Sequence, residues 1–172
     1  IDSDGERVAL RDNVDLRDLS PAAVRVRLSA AGLCHSDVSV LDGTIMFPPP
    51  VVLGHEGAGE VIATADDVSS LAVGDKVVLT TLGNCGRCDA CSRGKPTFCR
   101  QSLGKLSRPF TVGGEKAFQF ANTSVFVEET VVKETSAVKI PGRCSYRRAT
   151  TSPAVSRTTI REGRGPVLVL GP

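Results

Sequence analysis

The chain has 172 residues, 41% of them apolar, and a net charge of +2; that suits one domain, or one domain and the start of another, able to bury a real core. No run of about 18 apolar residues exists, so no membrane span is expected, and the polar, acidic opening Ile1-Asp2-Ser3-Asp4-Gly5-Glu6 excludes a secretory leader and lacks an initiator Met, so sequence before Ile1 is expected. Residues 1–140 carry 15 basic and 18 acidic side chains, a net of −3, while residues 141–172 carry six Arg against Glu162, a net of +5, so the main body offers no nucleic-acid surface.

Residues 6–10 and 23–29 read as strands. In the second, Val24, Val26 and Leu28 alternate with Arg25, Arg27 and Ser29, the period of two of a sheet with one wet face. Ala30 to Val40 suits a short helix or a loop and carries Cys34-His35-Ser36-Asp37. Pro48-Pro49-Pro50 imposes an extended approach to a strand-like Val51-Val52-Leu53, which runs into Gly54-His55-Glu56-Gly57-Ala58-Gly59. Strand resumes from Glu60 to Ala63, and Val73-Gly74-Asp75-Lys76 is a turn feeding Val77 to Thr80.

Residues 83–109 are rich in Gly, Cys, Arg and Pro and poor in large apolar groups, so this stretch cannot build its own core and needs a staple. Strand pattern returns at 118–127 and 131–132, and Val138-Lys139-Ile140-Pro141 closes the region. Many short strands between turn signals, few helices and no internal repeat make a mainly β (α+β) domain of the compact barrel kind. Residues 142–165 show neither helical nor strand period; between Ser145 and Thr159 the sizeable apolar residues are Tyr146 and Val155. Val167-Leu168-Val169-Leu170 followed by Gly171-Pro172 resembles a buried parallel strand entering a Gly-rich turn.

Of six cysteines, four (Cys85, Cys88, Cys91 and Cys99) fall within fifteen residues. Without a secretory leader, clustered thiols imply a reducing, cytoplasmic setting and metal rather than disulfides. Four thiolates close a tetrahedral shell around Zn²⁺ with no open position, the mark of a structural site, and such a site adds folding energy to a lobe without a core. An iron–sulfur cluster is the competing occupant; unliganded or disulfide-bonded cysteines are the third reading.

Cys34 and His55 form a second thiolate–imidazole pair, and Glu56 follows His55 directly. A catalytic zinc needs three protein ligands and one open position, of which this pair supplies two. On spacing alone, a buried Cys and a hydrogen-bonded His describe the pair better. The surrounding words change that reading. Gly32-Leu33-Cys34-His35-Ser36-Asp37, then Gly54-His55-Glu56-Gly57-Ala58-Gly59-Glu60-Val61, then Gly74-Asp75-Lys76-Val77, then the four-cysteine lobe, occur in this order. Together, and with Phe118 to Ile140, they resemble the zinc-dependent alcohol dehydrogenases of the medium-chain dehydrogenase/reductase superfamily over nearly all of residues 1–141.

The resemblance implies a GroES-like β-barrel with a zinc-binding lobe over residues 1–141, the lobe at 83–109. It implies an inter-domain segment, here degraded, over 142–165, and the start of a coenzyme-binding domain over 166–172, so that a Rossmann domain is absent apart from its first strand. It implies Cys34 and His55 as catalytic-zinc ligands, Glu56 as a near or transient ligand, Ser36 as acceptor of the alcohol proton, His35 beside the coenzyme pyrophosphate, and Asp37 orienting His55. It further implies a structural zinc held by Cys85, Cys88, Cys91 and Cys99, a small alcohol or aldehyde as substrate, and NAD(P) as hydride carrier.

Three departures stand out. Where the family often has a relay His, three residues beyond Ser36, this chain has Ser39. The family's third zinc ligand, a Cys roughly fourteen residues after Ile140, is replaced by Pro153 or Ala154, and Cys144 comes too early to be the same residue. Gly171 stands where the family's phosphate loop would begin, and the loop's remaining glycines, the following helix N-terminus and the ribose-binding acid are not among these residues. The expectation is a dehydrogenase catalytic domain that is inactive as these residues alone and keeps its structural zinc, the catalytic zinc being in question. The alternative is a non-catalytic zinc-binding module or a truncated remnant with a partner-binding role, self-associating through the face that meets the coenzyme domain. Nucleic acid is not expected as a partner, since the Arg-rich tail has no aromatic interleaving beyond Tyr146.

Overall fold

The computed structural model describes residues 8–102, 106–141 and 144–146, and the backbone of 167–170. The strands are β1 (Ala9–Arg11), β2 (Val14–Leu16), β3 (Ala23–Gly32), β4 (Val51–Val52), β5 (Glu56–Thr64), β6 (Lys76–Leu79), β7 (Phe110–Val112), β8 (Glu115–Gln119), β9 (Glu129–Lys133), β10 (Ala137–Lys139) and β11 (Val167–Leu170). Two short helices interrupt them, α1 (His35–Leu41) after β3 and α2 (Asp89–Ser92) inside the cysteine-rich segment. The strands form a six-stranded sheet in the order β1-β11-β4-β8-β7-β2 and a five-stranded sheet in the order β10-β6-β5-β3-β9. The expected mainly β, few-helix architecture is what the chain adopts.

The longest strand shows how the alternation operates. Val24, Val26 and Leu28 of β3 are buried while Arg27 faces solvent, and β3 pairs antiparallel with both β5 and β9. These residues join Val61, Val77, Phe110 and Val132 in the main core, where each fully buried side chain contributes roughly 1.5–3 kcal/mol. β4 links this core to a smaller one. Consecutive residues of a strand face opposite ways, so Val52 enters the main core while Val51 joins Val40, Leu53, Phe118 and Phe120. The segment that carries His55 therefore leaves a strand anchored on both faces.

Three expectations are revised. The strand pattern at 118–127 stops at Gln119; a 3-10 turn, Phe120–Asn122, follows, with Ala121, Asn122 and Ser124 at positive φ. Buried polar groups force this break, because they must find partners. Gln119 Nε2 donates to the carbonyls of Thr123 (3.1 Å) and Val131 (2.9 Å), and Ser124 Oγ donates to Val52 O at 2.5 Å. The β7–β8 hairpin turning at Gly113-Gly114, and β2 against β7, were not anticipated; β2 and β7 are three-residue strands, too short for a period to show. Finally, Val167–Leu170 is a strand, but it lies antiparallel between β1 and β4 rather than in a parallel sheet. Both of its pairings are antiparallel, with β1 and with β4, whereas the one parallel pair among the described strands joins β4 to β8. Most of the inter-domain segment, including Pro153 and Ala154, lies outside the described residues, as does Gly171.

Candidate metal centres and cleft

The four cysteines are brought together as one cluster. Their sulfurs all lie within 4.8 Å of one another, and all four are free thiols rather than disulfides. A tetrahedron of sulfurs about 2.3 Å from a central zinc has edges of about 3.8 Å. The Cys88–Cys91 and Cys88–Cys99 separations are 3.5 and 3.9 Å, so the cage has the size that zinc requires. Backbone amides already point at the sulfurs: Cys85 N–H and Gln101 N–H donate to Cys99 Sγ at 3.3 and 3.4 Å. The hydrogen bond from the Cys91 backbone lowers the Cys88 thiol to about 6, while burial, together with the neighbouring Cys88, pushes Cys91 up to about 11. A divalent cation at the centre would favour the thiolate form of all four.

The second cluster is assembled across the fold. Cys34 ends the connection from β3 into α1, and His55 and Glu56 leave the turn after β4; one ligand atom from each lies within 4.8 Å of the others. Gly54 makes that turn with φ +91°. Asp37, fully buried on the first turn of α1, organises the set. Its Oδ2 accepts from Cys34 N–H at 3.1 Å, and its Oδ1 accepts from Gly54 N–H at 3.0 Å and faces His55 Nδ1 at 3.3 Å. With Nδ1 held there, Nε2 is the ring nitrogen left for another partner. The Asp37 hydrogen bond raises the His55 pKa, and the backbone of Ser36 lowers that of Cys34.

Glu56 Oε2 is buried without a hydrogen-bond partner among the described residues. A buried carboxylate oxygen left so beside a thiol and an imidazole is costly, and a cation at their centre would satisfy it. Thiolate, imidazole and carboxylate are also zinc's own donor set, so these residues fit that metal. Cys144 is outside this cluster: its amide donates to Pro141 O and its sulfur lies 3.7 Å from Ser145 O.

Ser36 and His55 open onto a cavity of about 470 Å³ walled by Ile45, Phe47, Thr81 and Phe120. The aromatic wall is self-braced, with Phe47 edge-on to Phe120 at 5.4 Å and His55 edge-on to Phe120 at 5.5 Å. The sequence reading missed these wall residues, because they come from three separate elements and carry no local motif; Phe118 and Phe120, two apart beside the lobe, were the available signal. His35 is exposed, and Ser39 is buried and is not part of the cleft wall. No described helix is long and apolar enough to cross a membrane.

The comparisons agree with this geometry. A family model described as "Alcohol dehydrogenase GroES-like domain" matches residues 20–142. The chain is 38% identical over 138 residues to an S-(hydroxymethyl)glutathione dehydrogenase of Photobacterium damsela subsp. piscicida, a match covering 74% of this chain and 37% of the relative. Among solved structures it is similar to an alcohol dehydrogenase zinc-binding domain protein from Burkholderia ambifaria, with a TM-score of 0.70 and 36% identity over 76% of this chain and 38% of that one. It is also similar to benzyl alcohol dehydrogenase from Acinetobacter calcoaceticus, with a TM-score of 0.72 and 28% identity over 84% and 42% of the two chains. The chain thus spans about two fifths of the length of these proteins or a little less.

Proposed function

This chain belongs to the zinc-type medium-chain alcohol dehydrogenases, as their GroES-like catalytic domain, and from that premise we propose that it is the alcohol-binding half of an enzyme interconverting alcohols and aldehydes with NAD(P). The observation that carries the reading is the unpartnered buried Glu56 Oε2 beside Cys34 and His55, with His55 in the cleft wall. A zinc ion held by Cys34, His55 and Glu56 would supply Lewis acidity, lowering the pKa of an alcohol oxygen, and a nicotinamide ring would take the hydride.

The remaining work falls to the chain's own side chains. Asp37 holds His55 in one tautomer and makes it a better donor. Ser36, beside His55 in the cleft, receives the alcohol proton and passes it outward. Ile45, Phe47 and Phe120 keep water from the apolar end of the substrate. His35, exposed at the start of α1, is assigned to the coenzyme pyrophosphate. Cys85, Cys88, Cys91 and Cys99 hold a structural zinc, and a reducing compartment, the cytoplasm, keeps them as thiols.

Assayed alone, these 172 residues are proposed to be inactive, because hydride transfer needs a nicotinamide site and the described residues contain no strand–glycine loop–helix unit to make one. The alternative, a non-catalytic zinc module that self-associates, draws on the exposed Leu33, Val38, Ile45 and Met46 around α1.

Metal analysis and an alcohol oxidation assay on the purified chain test the reading. One zinc that survives dialysis, a second that adds only from solution, and no turnover with NAD(P) are expected. A chain without zinc, or with iron and acid-labile sulfide, ends the metal assignment, and measurable turnover ends the assignment of inactivity.

A further inference from the structure

A second cavity, of about 320 Å³, lies beside the cleft and shares Gln119 and Asn122 with it. Arg17 and Lys133 stand in its wall, and among the described residues no Asp or Glu does. A third cation is close, since Arg25 Nη2 donates to the Arg17 carbonyl at 3.2 Å. The β3–β9 register sets Ala23 opposite Lys133 and Arg25 opposite Val131, which puts Arg25 and Lys133 on the same face of the sheet. Among the described residues no ion pair joins Arg17, Arg25 or Lys133 to an acid.

In the same wall is Ser102, 8% exposed, whose hydroxyl has no hydrogen-bond partner among the described residues. Asn122 Nδ2 donates to its carbonyl at 3.1 Å, fixing it against the turn that borders the cleft. Neighbouring like charges repel, and a buried hydroxyl without a partner is costly. One ligand relieves both: an oxyanion accepts from guanidinium, ammonium and hydroxyl donors together, in bonds stronger than neutral ones.

We propose that this chamber binds a small organic or inorganic oxyanion, a carboxylate or phosphate group, through Arg17, Lys133 and the Ser102 hydroxyl. The proposal does not rest on alcohol oxidation. Because the chamber adjoins the cleft, the anion is either the far end of an alcohol whose hydroxyl sits near His55 or a free molecule. Both sources use the same donors.

The test is titration of the zinc-loaded 172-residue chain with succinate, inorganic phosphate, hexanol and hydroxyhexanoate (the last joining a terminal hydroxyl to a carboxylate), followed through amide resonances. Succinate or phosphate is expected to shift residues 17, 102 and 133 saturably. The double substitution Arg17→Gln with Lys133→Gln, at two exposed positions, is expected to weaken that binding by about tenfold or more, with the remaining spectrum certifying the fold. An anion held instead at the Cys34–His55 cluster would be indifferent to the double substitution. Hydroxyhexanoate binding more tightly than both hexanol and succinate marks the anion as the tail of a cleft-bound alcohol; affinity equal to that of succinate marks a free anion. The absence of saturable shifts with all three anions, or unchanged affinity in the double variant, overturns the proposal.

Discussion

The four-cysteine lobe and the Cys34–His55 pocket are both metal-ligand clusters, built on opposite plans. The lobe draws its ligands from one short looping segment. Its helix α2 buries none of its residues, and Phe98 in its last turn is 73% exposed. The pocket draws Cys34 from the end of β3 and His55 and Glu56 from the turn after β4. Both stretches leave core strands, and the fully buried Asp37 ties them together. On the proposed reading a metal would supply the order in the lobe, whereas in the pocket the fold supplies it and a metal would add chemistry.

The largest expected effect separates those plans directly. A structural zinc site contributes on the order of 10 kcal/mol to the order of its segment. Cys99→Ser should therefore release the lobe zinc and let the amide hydrogens of residues 85–99 exchange as in an unfolded chain. His55→Ala should remove the weaker metal and leave those amides, and the barrel, protected. Hydrogen exchange with metal counting reads both, and equal loss of protection in the two variants would erase the distinction.

Backbone substitutions sharpen it at a smaller scale. Gly54 has φ +91°, and a Cβ there would meet Phe126 N at 2.8 Å; its N–H also holds Asp37. Gly54→Ala is expected to cost about 2 kcal/mol or more and to loosen metal binding at the pocket. Gly86, in the lobe, has φ +68° with nothing within 4 Å, so Gly86→Ala should cost only about 1 kcal/mol. Urea unfolding of the two variants gives the ranking, and a reversed order would mean that the pocket, not the lobe, is the looser frame.

The smallest effect belongs to neither cluster. Glu134 accepts from the amides of Ser69, at 2.9 Å, and Ser70, and hydrogen bonding from the Ser70 side chain, ahead of these amides, lowers its pKa below the ordinary 4.5. The folded state therefore binds fewer protons here than the unfolded one. The stabilisation is present above the ordinary value and is lost as pH falls through the lowered one. Glu134→Gln should cost about 1 kcal/mol or less at neutral pH and flatten the fall in stability on acidification. Thermal unfolding across that range checks it; a steeper fall in the variant would reverse the sign.

The legibility of the sequence followed the same division. The lobe could be read outright, because Cys85, Cys88, Cys91 and Cys99 sit close enough along the chain for spacing to stand in for distance. The alternation of Val24, Val26 and Leu28 was equally plain, since a strand of ten residues repeats its period several times. β2 and β7 repeat it too few times to show. The end of the strand at Gln119 was hidden because its cause lies in partners such as Val52 and Val131, brought near only by folding.

What the order of residues determined by itself was therefore local: which segments alternate, which four thiols come together, and which words mark the family. Only the tertiary structure decided that Asp37 holds Cys34, Gly54 and His55 at once, that Glu56 is left with an unpaired buried oxygen, and that Val167–Leu170 lies antiparallel between β1 and β4. A hydrogen bond or a buried charge depends on distances through space, and separation along the chain says little about those until the strands have paired.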